Sequence, residues 1–286
     1  MALEFIGMIG VRPDGAPGAS VHVIGGGIDP PYLANFARAH EEAGFDRVLV
    51  GYNEYLEVMH RTWTSEKPFD FEGEFYRYKG AYSDVKPLQQ PCIPVYFGGQ
   101  SEAALGVSAT WWDTFALWGE PLAAVREKMA EVRAAAAEVG RSPAFSVSLR
   151  PILAVTEAKA WERARAILAS VQGAKRPAPI LGSGGPRPEA VGSQRLLRFA
   201  AEAEVHDKRL WTPIAAATGA TGNTTALVGT PEQVAESMLD YYDLGVRTLL
   251  IRGFDPLPDA IDYGRELIPL VRAEVAKREA AVAIAT

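Results

Sequence analysis

Hydrophobic and polar positions along this chain follow two periods, and the two periods take turns. Short apolar runs at LEFIGMIG (3–10), RVLVGYN (47–53), IPVYFGG (93–99), TFALWG (114–119), FSVSLRPILAV (145–155) and TLLIRGF (248–254) read as strands. Most are separated by stretches with helical spacing, and such βα alternation predicts an α/β fold built on a parallel sheet. A first helix is expected from Asp29, where a capping oxygen precedes Pro30 and Pro31, to Gly44. The clearest runs over about 121–139, with Leu122, Val125, Met129, Val132, Ala136 and Val139 spaced by three and four. Another opens at Thr230-Pro231-Glu232-Gln233, where Thr230 caps and Gln233 reaches back to complete a capping box. The last is expected from about Pro258 to Lys277.

Two stretches break the rhythm. Residues 64–90, with PFDFEGEFYRYKGAYSDVKP, read as an aromatic hairpin insertion, and residues 171–225 hold Pro/Gly-rich segments around a short helix.

Strand parity then sorts the side chains. In FSVSLR, Phe145, Val147 and Leu149 share the face expected against helices, and Ser146, Ser148 and Arg150 share the inner one. By the same rule Thr114, Ala116 and Trp118 turn inward, as do Tyr96 and Gly98. Arg150, Trp118, Tyr96 and the turn Gly98-Gly99-Gln100-Ser101 all fall at carboxyl ends of strands, where parallel α/β folds bind ligands. A glycine pair between strand and helix lets backbone N–H groups approach a phosphate, with the Ser101 hydroxyl beside them; a plain tight turn explains the same residues. Arg150, if buried, needs either an internal carboxylate or an anionic ligand. Trp118 fits core packing or the wall of a ligand pocket. For Arg252 a salt bridge to Asp255 or Glu266 is the simpler expectation.

Composition narrows the class without choosing a chemistry. The 286 residues are 48% hydrophobic and 22% charged, with net charge −6 and no long block of one sign, which favours neither nucleic acid nor an anionic membrane. The single cysteine, Cys92, cannot form an internal disulfide, and no Cys/His cluster has metal-ligand spacing, so no metal is expected. Glu4 interrupts the apolar run of MALEFIGMIG, so neither a signal peptide nor a span is expected and a cytoplasmic location follows.

Four ordered segments carry a family resemblance: IPVYFGGQSE, FALWGEP, FSVSLRPILAVTE and NTTALVGTPEQVAESMLDYYDLGVRTLLIRGF. Together they resemble the alkanesulfonate monooxygenase type of the bacterial luciferase-like flavin-dependent monooxygenases, over essentially the whole chain. The resemblance implies one TIM-barrel-like domain over residues 1–286, and a homo-oligomer. It implies reduced FMN supplied by a separate flavin reductase, and molecular oxygen used on a small organic substrate such as an organosulfur compound or sulfonate. Carried over by position, Tyr96, Gly98, Gly99, Gln100 and Ser101 bind FMN, Trp118 walls the active site, and Arg150 steers the anionic substrate or peroxide.

This chain departs from the family pattern at several positions. Ile152 stands where the sulfonate enzymes have a histidine, Phe254 where a tyrosine is expected, and Ala220-Thr221 where a mobile loop carries an arginine. After Asn53 the material for barrel strands three and four, about two βα units of roughly 30 residues or more each, is missing, which leaves about six strands of eight and an incomplete or distorted barrel. A catalytically impaired flavin-binding or scaffold relative is the alternative.

Overall fold

The computed structural model describes residues 4–7, 52–90, 92–100, 105–106, 110–173, 190–220 and 224–285. In chain order the described elements are β1 (Glu4–Gly7), α1 (Tyr52–Thr64), β2 (Phe69–Glu72), β3 (Arg77–Ala81), β4 (Tyr96–Phe97), β5 (Thr114–Trp118), α2 (Leu122–Glu138), β6 (Ala144–Leu153) and α3 (Glu157–Gly173). There follow α4 (Val191–Glu202), β7 (Val205–His206), β8 (Leu210–Trp211), α5 (Pro213–Thr218), β9 (Ala226–Gly229), α6 (Pro231–Asp243), β10 (Thr248–Ile251), α7 (Pro256–Asp262), a π-helical turn (Tyr263–Leu267) and α8 (Ile268–Ala285). They fall into two compact units, one of Met1–Gly27, Ala116–Ala130 and Ala144–Thr286, the other of Ile28–Phe115 and Glu131–Pro143.

In the first unit β1 pairs in parallel with β10, and β10 with the first half of β6, in the register Glu4↔Thr248↔Ser146 through Gly7↔Ile251↔Leu149. From Arg150 onward β6 pairs in parallel with β9 instead, Arg150↔Ala226 to Leu153↔Gly229. The ten-residue strand thus changes partner between Leu149 and Arg150. Phe145, Val147 and Leu149 are fully buried, as their shared parity predicts. The N-terminus of α6 carries the expected capping box: Gln233 N donates to Thr230 Oγ1 at 3.4 Å, Thr230 N donates to Gln233 Oε1 at 3.0 Å, and Pro231 opens the helix. The apolar stripe of α2 is as regular as its sequence, with Val125, Met129, Val132 and Ala136 all buried.

In the second unit β2 and β3 form an antiparallel hairpin, Phe69↔Ala81 and Glu72↔Arg77, with an irregularity between Phe69 and Phe71. Glu54 in the first turn of α1 anchors it: its carboxylate accepts from the backbone N–H of Glu74 (2.7 Å), Phe75 (2.9 Å) and Tyr76 (2.9 Å). β4 pairs in parallel with the start of β5, Tyr96↔Thr114 and Phe97↔Phe115.

Three expectations need correction. Tyr52 and Asn53, read as the end of a strand, open helix α1; the rest of that strand and the helix expected over 29–44 lie outside the described residues. Six described strands join parallel pairs, but one of them is β9, which is not among the strand-like runs of the sequence, because Ala226–Gly229 extends the ladder of β6. The last helical region starts at Pro256, two residues early, behind Asp255, and runs through a π-helical turn to Ala285.

Candidate functional site

Arg150 stands where β6 leaves β10 for β9. Its own N–H donates to Thr225 O, and the N–H of Arg252, the residue after β10, donates to Leu149 O. The side chain is 3% exposed. Its Nε donates to Arg252 O at 3.4 Å and its Nη2 to Gly253 O at 3.0 Å, and the guanidinium lies 3.9 Å from the centre of the Phe254 ring. Among the described residues no carboxylate forms a salt bridge with it and its Nη1 makes no hydrogen bond. Burial, reinforced by the nearby charge of Arg252, lowers its pKa from the usual arginine value to about 10. Of the two partners the sequence left open for Arg150, an internal carboxylate acts only from a distance: Asp259 makes no salt bridge with it, but its charge favours the protonated guanidinium. What remains is a buried cation whose Nη1 edge suits an anion.

The turn that cradles Arg150 is itself braced. Asp259, 1% exposed, receives Arg163 Nη2 on Oδ1 at 2.5 Å and the backbone N–H of Asp255 on Oδ2 at 2.9 Å. A Cβ at Gly253 would overlap Asp259 Cβ, Cγ and Oδ2, so the turn tolerates only glycine there. Tyr263, buried in the π-helical turn, donates to Pro151 O at 2.5 Å; burial, then the charge of Asp259, raises its pKa well above the usual value. Glu266, one partner expected for Arg252, is held by Arg265.

Trp118 ends β5 half-buried, packed against the cluster of Leu196 from α4, Ala215 from α5 and Ala220 just beyond α5. Core packing accounts for one face of the indole. Immediately after it Gly119 passes so close to β6 that a Cβ would stand 2.6 Å from Leu149 Cδ2 and 2.9 Å from Ser148 O, and 2.6 Å from Thr225 Oγ1. Ile152 is fully buried in an apolar cluster with Ala160, Ala164, Trp211, Ile214, Ala226 and Val228, against which Phe254 also packs. An apolar residue at position 152 is thus required by packing.

In the second unit, Gly98, Gly99 and Gln100 follow β4 directly, while Ser101 lies outside the described residues. Tyr96 is 37% exposed. The Oε1 of Gln100 is buried and, among the described residues, has no hydrogen-bond partner. A buried amide oxygen without a partner costs about 1–3 kcal/mol, so a ligand group that satisfies it is favoured at the turn. The group bound there is one that donates, such as a ligand hydroxyl. A hydroxyl-bearing cofactor such as FMN is compatible with this acceptor.

Sequence reasoning passed over Glu120, Asp259 and Tyr263. Glu120 lies between Gly119 and Pro121 and looks like an ordinary acidic residue before a helix. Asp259 lies four residues after Asp255, in the first turn of a short helix. No spacing rule separates either one from a solvated helix-start acid.

Residues 51–248 match the sequence model of the luciferase-like monooxygenases. The chain belongs to this family. Solved structures with the same fold include a riboflavin lyase with modified FMN and its substrate riboflavin (TM-score 0.62, 18% identity, 82% of this chain and 61% of that one). A second is EDTA monooxygenase from Chelativorans sp. BNC1 (TM-score 0.60, 18% identity, 86% and 65%). A third is a coenzyme F420-dependent secondary alcohol dehydrogenase in complex with an F420-acetone adduct (TM-score 0.51, 17% identity, 79% and 64%). The chain spans between 61% and 65% of the length of these three. Its fold is the α/β, TIM-barrel-like fold of the luciferase-like family with an incomplete barrel sheet. Among the described residues no helix is long and apolar enough to cross a membrane.

Proposed function

We propose that this luciferase-like protein is a reduced-FMN-dependent monooxygenase that uses molecular oxygen on a small organic anion, an organosulfonate or related organosulfur compound among the candidates. The observation that carries the reading is Arg150: a residue 3% exposed, its guanidinium held on one edge by two carbonyls and salt-bridged to no carboxylate among the described residues. A buried charge of this kind is stabilised when an anion occupies its open edge. Arg150 then binds and orients the substrate head group while Trp118 walls the pocket. Tyr96, Gly98, Gly99, Gln100 and Ser101 hold the cofactor, with Gln100 supported by its orphaned oxygen. The cofactor supplies the reducing electrons for oxygen activation and arrives reduced from a separate flavin reductase. A cytoplasmic homo-oligomer acting with that reductase is the accompanying proposal.

Anaerobic titration with reduced FMN, followed by oxygen uptake with a panel of alkylsulfonates and carboxylates, tests the reading. Uptake that depends on substrate and is lost in Arg150→Met supports it; no flavin binding at all overturns it. FMN and coenzyme F420 are compared in the same titration.

One observation favours a second reading, a flavin-binding relative without turnover. The chain spans 61% of the riboflavin lyase and 65% of EDTA monooxygenase, and about two βα units are absent after Asn53 by resemblance. Bound flavin with no substrate-dependent uptake would select it.

A further inference from the structure

The anion-binding reading of Arg150 leaves open what aims the guanidinium. Two carbonyls grip it, and both belong to the turn at 252–255. That turn contains Gly253, a residue with wide φ/ψ freedom and no side chain of its own to fix it. A carbonyl is aimed only as well as its backbone is held, so the brace comes from outside the turn. Asp259 makes it from three directions. Its Oδ2 accepts from Asp255 N and its own N–H donates to Asp255 O at 2.9 Å; its side chain packs onto Gly253; and its Oδ1 receives Arg163 Nη2, which ties it to α3. Arg163 is fixed in turn by donating from Nη1 to Leu153 O, on the same strand as Arg150.

We infer that Asp259, braced by Arg163, is a positioning residue for the anion site. It holds the 252–255 turn so that Arg252 O and Gly253 O grip the Nε and Nη2 of Arg150 and the Nη1 edge is presented to the ligand. This rests on the reading of Arg150 given above. The Asp259 charge also reaches Arg150 and favours its protonated form, so geometry and charge are told apart by the sign of their effect on anion binding. A counter-charge role would predict the opposite sign: removing a negative charge near Arg150 would tighten anion binding.

The test is calorimetric titration of the purified chain with inorganic sulfate, with the affinity corrected for the folded fraction measured by thermal unfolding under the same conditions. Wild type is expected to bind sulfate and Arg150→Met to lose it. Asp259→Asn keeps an acceptor for Asp255 N but loses the charged link to Arg163, and is expected to bind roughly tenfold more weakly while folded, as for a group displaced by a fraction of an ångström. Arg163→Lys, which keeps the charge but not the forked reach, is expected to move the same way and serves if Asp259→Asn does not fold. Sulfate affinity in either folded variant equal to or tighter than wild type overturns the positioning role. Sulfate binding that Arg150→Met leaves unchanged, or none in wild type, overturns the anion site itself.

Discussion

Glu120 and Arg195 form a buried bidentate ion pair, with Arg195 Nε 3.0 Å from Oε1 and Nη2 2.6 Å from Oε2 of a carboxylate whose side chain is 2% exposed. The pair joins the residue that follows the β5 exit to helix α4, and Tyr241 OH donates to the Glu120 carbonyl at 2.8 Å from α6. Two charges taken from water contribute little when paired, but one left alone is costly. Arg195→Leu is therefore expected to destabilise by about 3–5 kcal/mol, more than Glu120→Gln, because it strands a carboxylate 2% exposed whereas Glu120→Gln strands a guanidinium that is 14% exposed and can still reach water. Urea unfolding of the two variants measures the asymmetry; equal losses would mean that packing, not charge, dominates there.

Gly73 and Glu54 make a second lock, in the other unit. A Cβ at Gly73 would collide with the Glu54 carboxylate and the Phe71 ring. Gly73→Ala is thus expected to free the amides of Glu74, Phe75 and Tyr76, read as lost hydrogen-exchange protection at those three residues. Desolvation raises the pKa of Glu54, yet the bonds from Phe75, Tyr76 and Glu74 outweigh it and the net shift is downward. A depressed carboxylate contributes stability above its unfolded pKa and loses it as pH falls through the folded one. Protection relative to Glu54→Gln should accordingly be full near neutrality and vanish in the acid range below the usual glutamate pKa.

How far the sequence reached follows from which interactions are local. The capping box at Thr230 and Gln233, the stripe of α2 and the parity of Phe145, Val147 and Leu149 each depend on residues within one turn or one strand, and all are visible in spacing. Arg150 was legible as an inner residue at a strand end, but not its carbonyl cradle, because Arg252 and Gly253 lie about a hundred residues away. Asp259 and Glu120 were missed for the same reason: a carboxylate at a helix start looks alike whether it meets water or an arginine from another element. The partner change of β6 at Leu149 and Arg150 was also hidden, since FSVSLRPILAV keeps one β pattern through the switch.

Ala220 adopts φ +50° while its methyl is completely buried. Its N–H donates to Ala215 O at 2.7 Å and its carbonyl accepts from Ser193 Oγ at 2.9 Å, so its surroundings impose the left-handed backbone. Relief of that conformation favours glycine by about 1–2 kcal/mol. Against it stand roughly 0.5–1 kcal/mol of added chain entropy and about 0.8 kcal/mol for the lost methyl burial. These terms nearly cancel, so Ala220→Gly should lie within about 0.5 kcal/mol of wild type. Ala220→Val, branched at Cβ in a left-handed buried site, should cost about 2 kcal/mol or more. Thermal unfolding of the two variants separates strain from packing as the reason alanine is tolerated.

The depressed basicity of Arg150 fixes the sign of a pH effect. Folding lowers this guanidinium from the usual arginine value to about 10, so above that pH the unfolded chain holds a proton that the folded one gives up. Stability contributed at this position is lowest while the group is charged and rises with pH from there. Wild type should therefore gain on Arg150→Met as pH climbs from 10 toward 12, on the order of 3 kcal/mol across the full shift. A bound anion holds the proton on the guanidinium and should suppress the gain. Guanidinium-chloride unfolding of both proteins at pH 9, 10 and 11, with and without sulfate, reads the difference. A wild-type minus variant stability that stays flat over this range would mean that Arg150 keeps its full charge in the fold.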